Sequence, residues 1–378
     1  MISIPAAPLP EIKILIRHFL YTNKFDNFYY ENYKSIYLYS RGMWALASGI
    51  QALLSKKKKK EGIVWFPDYF CNQALFPVRQ LSIKIDFYPI CKKLEPKWDI
   101  LEKKVKNLGP PDVFVLVHYF GFPNNLKKTK EFCKKYEIEL IEDAAHILLP
   151  SSGIGEDNNN PIIFSPRKVL PLPEGGILIA PKELNIYIKK QRMVLFNEAV
   201  ISWFIKRFVQ KTMIKLNIPW HKFWRVKKDN KYALVISRNF LTAKNYSIIT
   251  YKLLCIMMEE LKKIVQKCRE NYNLLLSELV DDNTTFLFPY LAPSICPYVC
   301  PVLVKKNANR IIEGLKNRGV PASSWPDLPS EVLKNKKVYK EAVWLQKHII
   351  LFPIHQSLSK KQMKYIVETY KKVISSKR

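Results

Sequence analysis

Phe164-Ser165-Pro166-Arg167-Lys168-Val169-Leu170-Pro171-Leu172-Pro173-Glu174-Gly175-Gly176 is the stretch that decides how this chain is read. Lys168 stands in an apolar, proline-rich setting, and an acid-Gly-Gly turn closes the run. Upstream lies Ile141-Glu142-Asp143-Ala144-Ala145-His146, a strand-like run with two acids at its end. A lysine and an aspartate at strand ends of an α/β domain are what pyridoxal phosphate chemistry requires. The amine forms a Schiff base with the aldehyde, and the carboxylate keeps the pyridine nitrogen protonated so that the ring accepts electrons. Lys168 and Asp143 are therefore the candidate catalytic residues. The plainer alternatives are one more surface lysine and an aspartate that caps a helix. Glu142 is read as structural.

The elements around this stretch set its frame. Val113-Phe114-Val115-Leu116-Val117 is a continuous apolar run, as in a parallel strand buried on both faces. Gly62 to Phe66, stopped by Pro67, and the alternating Ile83 to Tyr88 are further strands. Glu139 begins another, and Ile162 to Phe164 and Gly176 to Ala180 flank the lysine. Met43 to Leu54 and Leu126 to Tyr136 carry helical periodicity. This alternation predicts a doubly wound α/β domain with ligands at the carboxyl ends of its strands, where His118 and Asp143 lie. A long helix from Tyr246 to Leu279 then leads to a smaller α/β domain. Its expected strands are Val302 to Val304 and Ile349 to Phe352, and its last helix is Lys360 to Ile374. The expected division is 1–245 for the large domain and 246–378 for the small one.

Several motifs, in this order, resemble the DegT/DnrJ/EryC1/StrS group of fold-type-I aminotransferases. Ser40-Arg41-Gly42-Met43-Trp44 resembles its phosphate-binding turn, and Trp65-Phe66-Pro67-Asp68-Tyr69-Phe70 the loop over the cofactor ring. Val117-His118-Tyr119-Phe120-Gly121 resembles its His-x-Tyr-Gly strand end, and Ile349 to His355 its closing segment. The Asp143 run, Lys168 and the Glu174 turn complete the likeness, which covers residues 30–370. The resemblance implies a mainly parallel sheet of fold type I, pyridoxal 5′-phosphate as cofactor, and a homodimer. It implies transfer of an amino group from glutamate to a keto group of a nucleotide-linked sugar. The rival readings are a pyridoxal-phosphate-dependent sugar dehydratase or lyase, and a non-catalytic, membrane-associated binding protein on the same fold. Retention of Lys168 argues against dehydration, because some dehydrating relatives replace that lysine.

By the same resemblance, Gly42 and Met43 place backbone N–H groups under the phosphate. Met43 lacks the hydroxyl that many relatives carry there. Ser165, three residues before Lys168, is the candidate to compensate; sugar aminotransferases more often carry a serine five residues before, where this chain has Ile163. Arg167 either adds charge near the phosphate or faces solvent. Phe70 is the residue expected to stack on the ring, with Tyr69, Cys71 and Asn72 as neighbours in register; the alternative is aromatic core. His146 is placed to hydrogen-bond Asp143 or the cofactor's phenolic oxygen, or simply to pack. His118 and His355 are weighed between function and packing. The loop Trp325-Pro326-Asp327-Leu328-Pro329 is either a closing element or a rigid connector.

Composition adds bounds. The chain has 378 residues, 48% of them hydrophobic, enough for two domains with a large core. No apolar run suits a membrane span, and no signal peptide is recognised at Met1 to Pro5. Seven scattered cysteines suit a reducing cytosol, and Cys296-x-x-x-Cys300 has no matching pair, so no metal site is expected. The net charge of +30 is a lysine-rich bias or an attraction for acidic ligands or anionic membranes. No nucleic-acid-reading motif is present. Ile201, Phe204, Ile205, Phe208, Val209, Met213 and Leu216 recur at helical spacing between Lys206, Arg207, Lys211 and Lys215, with Trp203, Trp220, Phe223 and Trp224 beside them. This is a core or dimer helix, or one lying on a membrane surface. The expected location is cytoplasmic, with contact at the inner membrane face through 201–216.

Overall fold

The computed structural model describes residues 2–11, 13, 14, 17, 35–148, 154, 159–195, 197–216, 218, 245–325 and 327–375. Seven strands form the larger sheet: β1 (Ile36–Tyr39), β2 (Gly62–Pro67), β3 (Ile83–Tyr88), β4 (Val113–Val117), β5 (Glu139–Ala144), β6 (Ile162–Phe164) and β7 (Gly176–Ile179). Their spatial order is β1-β7-β6-β5-β4-β2-β3. The strands from β3 to β6 pair in parallel, and β7 runs antiparallel to both β6 and β1. Every residue of β4 is buried, which is why its sequence is apolar without alternation.

Helices α1 (Gly42–Lys56), α2 (Trp98–Leu108) and α3 (Leu126–Lys135) connect these strands. Asn125 caps α3 by accepting the Lys128 N–H at 3.0 Å, and Leu126, Phe132 and Cys133 turn inward. After β7 come α4 (Glu198–Lys215), α5 (Ile248–Glu259) and α6 (Leu261–Glu278). The single helix expected over 246–279 is thus two. The Glu260 N–H bonds back only three residues, to Met257 O, so the chain tightens there. The two halves also bury different shapes. Leu253 to Met257 are buried consecutively, all round α5, whereas α6 buries one stripe of Ile264, Cys268, Asn271, Tyr272 and Leu275.

A second sheet, antiparallel in order β10-β9-β8, comprises β8 (Thr284–Phe286), β9 (Val299–Val304) and β10 (Ile349–Pro353). It carries α7 (Ala308–Asn317), α8 (Ser330–Lys334), α9 (Lys340–His348) and α10 (Lys360–Ser375). Its apolar residues join those of the large sheet in one core, while α5 packs with Phe164, Leu170 and Ile177 in another.

Helix α4 is built the opposite way to a core helix. Ile205 and Phe208 are 62% and 71% exposed, and Ile201, Val209 and Leu216 are exposed too, whereas Gln210 is 3% exposed. Arg207 donates to Gln210 Oε1, and Lys211 Nζ reaches Pro10 O. The core reading therefore fails for most of this face within the described chain, although Phe204 packs against α5 and its cluster. Trp220, Phe223, Trp224 and Pro326 lie outside the described residues.

Candidate active site

Parallel strands gather ligand-handling groups at their carboxyl ends, and three of them do so here. β4 runs into His118, β5 carries Asp143 at its end, and β6 leads into one 3-10 turn, Pro166–Lys168. Ser165 starts that turn, and its carbonyl accepts the Lys168 N–H at 3.0 Å.

Lys168 and Asp143 are brought into electrostatic contact. Burial pushes the Lys168 ammonium down to about 8; the Asp143 carboxylate opposes this and the Arg167 guanidinium adds to it. Burial in turn raises the Asp143 carboxyl, against the pull of Lys168 and of the Ala145 N–H, which donates to its Oδ1 at 3.0 Å. Behind Asp143, His118 Nε2 lies 3.1 Å from Glu142, both fully buried. The Asn124 N–H donates to His118 Nδ1 at 2.9 Å, so the ring proton belongs on Nε2, facing the carboxylate. His118 is thus held within the strand layer.

His146 lies at this centre. Its ring is parallel to that of Phe120 at 5.8 Å and nearly parallel to that of Tyr298 at 5.1 Å. The Phe120 N–H donates to Nδ1 at 3.1 Å, so the neutral ring carries its proton on Nε2. Burial, and then the Lys168 charge, holds its pKa well below the usual histidine range. The bond expected to Asp143 is replaced on Nδ1 by this backbone donor. Phe120 itself has φ +58, and Gly121 follows at φ +100. A Cβ on Gly121 would stand 2.6 Å from Cys296 O, so only glycine lets the 296–298 loop cross here and bring Tyr298 onto His146.

Gly42 and Met43 form the first turn of α1. The Glu174-Gly175-Gly176 turn is pressed against it: a Cβ on Gly176 would lie 2.3 Å from the Arg41 carbonyl. The Ser165 hydroxyl donates to Gly175 O at 2.8 Å, and the Gly175 N–H to Ser40 O at 2.9 Å. The acid before the glycines is fully engaged. Glu174 accepts from the Ser247 N–H at 3.0 Å, from Thr250 Oγ1 at 3.2 Å and from Asn197 Nδ2.

Phe70, expected over the ring, is in the core beside Phe66 at 5.0 Å. The next residue, Cys71, is the one in electrostatic reach of Lys168, and its thiol contacts Asp327 Oδ1 at 3.7 Å. Trp325 packs on Tyr69 at 4.5 Å and edge-on to His146 at 5.9 Å, so Trp325 and Asp327 both meet the cleft. His355 is elsewhere, its Nε2 3.0 Å from Pro5 O, and it is not part of this cluster. Tyr298 was missed by sequence reasoning, and no local signal marks it; Arg41 stands in the motif quoted for the phosphate turn but was not singled out. Among the described residues no His, Cys, Asp and Glu cluster could hold a metal.

The architecture is that of fold type I. It matches the putative sugar aminotransferase Spr1654 of Streptococcus pneumoniae in its PLP form (TM-score 0.68, 15% identity, 99% of both chains). It also matches the GDP-4-keto-6-deoxy-D-mannose-3-dehydratase of E. coli with bound hydrated PLP (TM-score 0.67, 17% identity, 98% of this chain and 100% of that one). Residues 92–199, which include Asp143 and Lys168, match the model of the DegT/DnrJ/EryC1/StrS aminotransferase family. A serine hydroxymethyltransferase of Nitrosopumilus maritimus is 28% identical over 120 residues, 29% of this chain and 27% of that relative's length.

Proposed function

We propose that the protein is a pyridoxal-phosphate-dependent aminotransferase that moves an amino group from glutamate to a keto group of a nucleotide-linked sugar. The observation that carries this reading is Lys168 beside Asp143 at the strand ends, within the segment that matches the model of the aminotransferase family. The residues fit the cofactor. There is a half-buried amine for its aldehyde and a buried carboxylate for its ring nitrogen. Beside them is a buried guanidinium nitrogen, Arg167 Nε, with no hydrogen-bond partner. When bound, pyridoxal phosphate supplies an electron sink for breaking bonds at the amino-bearing carbon.

The chain's own groups do the rest. Lys168 would hold the aldehyde, and its free amine would carry the proton taken from the substrate carbon. Asp143 would keep the ring nitrogen protonated. His146, neutral and fixed between two rings, presents its Nε2–H as a donor rather than an acid. Tyr298 and Trp325 pack around His146, and Cys71 lies within electrostatic reach of Lys168. Lys168 in place favours transamination over dehydration. We further propose a homodimer and a contact of α4 with an anionic membrane surface. Among the described residues no helix is long and apolar enough to cross a membrane.

The test is the colour and covalent state of the purified protein. The expected protein is yellow, loses its colour on adding glutamate, and after borohydride reduction carries the cofactor on Lys168. Lys168→Ala is expected to remain folded and give no adduct. An adduct on another lysine, or a colour indifferent to amino donors, overturns the assignment.

A further inference from the structure

The aminotransferase reading, on which this inference rests, leaves the cofactor's phosphate short of side-chain donors. Backbone N–H groups at the start of α1 suit an anion. Met43 adds no hydroxyl there, however, and the single proton of the Ser165 hydroxyl is held by Gly175 O at 2.8 Å. Two arginines stand beside this helix start. Arg41 immediately precedes Gly42, and its Nη1 donates to Pro173 O at 3.0 Å. Arg167 backs onto Gly175, where a Cβ would meet Arg167 N at 3.2 Å, and Gly175 bridges to Arg41.

The two guanidinium groups act on each other. Arg41 is pushed down to about 9 by burial first and then by Arg167, with Glu174 opposing. An arginine keeps its proton in a protein, so two positive charges stand within reach of each other here. Arg167 is also lowered by burial, relieved only by Tyr298 and Cys71. Those two are a phenol and a thiol whose own pKa values are raised, so both are neutral near pH 7. Its Nε is shut off from water and has no hydrogen-bond partner. Glu174, the carboxylate that Arg41 feels, is engaged by Ser247, Thr250 and Asn197. Lys168 places a further cation in the same pocket. A buried cationic donor left in this state is costly, and an incoming dianion relieves it.

We propose that Arg167, supported by Arg41, holds the phosphate of pyridoxal 5′-phosphate against the N-terminus of α1, in place of the hydroxyl that Met43 lacks. A guanidinium suits the task because its planar fork matches two phosphate oxygens at once.

The experiment compares equilibrium binding of pyridoxal 5′-phosphate, pyridoxal and inorganic phosphate to the full-length protein, its Arg167→Gln variant and its Arg167→Lys variant. Arg167→Gln is expected to weaken pyridoxal 5′-phosphate about ten- to a hundredfold, the loss of one or two charged hydrogen bonds. Compared at a pH above the Lys168 midpoint of both proteins, where the amine is neutral in each, pyridoxal, which has no phosphate, should bind both alike. Arg167→Lys should fall between, because it keeps the charge and loses the fork. Without ligand, Arg167→Gln should melt at or above the parent temperature, since it removes a buried cation; an arginine that only braces the fold would lower it. Unchanged affinity for pyridoxal 5′-phosphate, or an equal loss for pyridoxal, overturns the proposal. If Arg167→Gln does not fold, Arg167→Lys decides by the same comparison. If the parent protein takes up no pyridoxal 5′-phosphate, the cofactor reading itself has failed. Inorganic phosphate then decides the anion site: binding lost in Arg167→Gln supports it, and absent or equal binding overturns it.

Discussion

An amine attacks an aldehyde only when unprotonated, and burial of Lys168 beside Arg167 serves that need. With its pKa near 8, about a tenth of Lys168 is neutral at pH 7, against under about a thousandth of an ordinary lysine. Covalent capture of the cofactor, followed by borohydride trapping at each pH, should therefore rise about tenfold per pH unit and level off above about 8. Because the Arg167 charge is one of the causes that lower this amine, the midpoint should move upward in Arg167→Gln. A midpoint near that of free lysine would remove Lys168 from the role. Asp143 makes a separable contribution. Asp143→Asn should keep the cofactor, more weakly, while the half-reaction with glutamate slows by orders of magnitude in stopped-flow measurements. Near-normal turnover would mean that another group holds the ring nitrogen. Both residues were legible in the sequence because their order, strand-end setting and following glycines are local. Tyr298 was not: it arrives by a loop crossing Gly121 from far along the chain.

Between strands and helices, Glu174 ties the lysine loop to the rest of the molecule. It is 1% exposed and accepts from Asn197 and Ser247, the N-caps of α4 and α5, as well as from Thr250. Glu174→Ala would strand these donors in a buried site, so we expect a loss of about 3 kcal/mol or more and a melting temperature lower by several degrees, read by calorimetry. Glu174→Gln, which keeps one acceptor oxygen, should lose clearly less. Equal losses would mean that volume rather than hydrogen bonding matters at this position. The elements themselves were largely readable, since β4 announces burial on both faces and α3 its amphipathic stripe. The break at Glu260 was hidden because both halves keep helical periodicity across it. The domain division near residue 245 stays a proposal; α5, just beyond it, packs on residues of the large sheet. Periodicity failed differently at α4. A stripe of apolar residues every three or four positions says that one face differs, but not which face looks inward.

At the scale of the whole molecule, a net charge of +30 accompanies an apolar helix face turned outward. Ile205, Phe208, Val209 and Leu216 sit at the surface, and lysines and Arg207 lie between and beneath them. An exposed apolar face of this kind calls for a partner. Among partners, an anionic bilayer matches both the apolar stripe and the excess of positive charge. We therefore expect the purified protein to co-sediment with anionic vesicles, not with neutral ones, and to be released as salt is raised. The decisive variant is Ile205→Glu/Phe208→Glu, chosen because both side chains are exposed and neither supports the core. It should abolish vesicle binding while leaving the melting temperature and the oligomeric state unchanged. A variant that falls apart into smaller species would assign this face to contact between copies of the chain. Vesicle binding that survives the substitution would trace the attraction to the scattered lysines alone, and α4 would then have no membrane role.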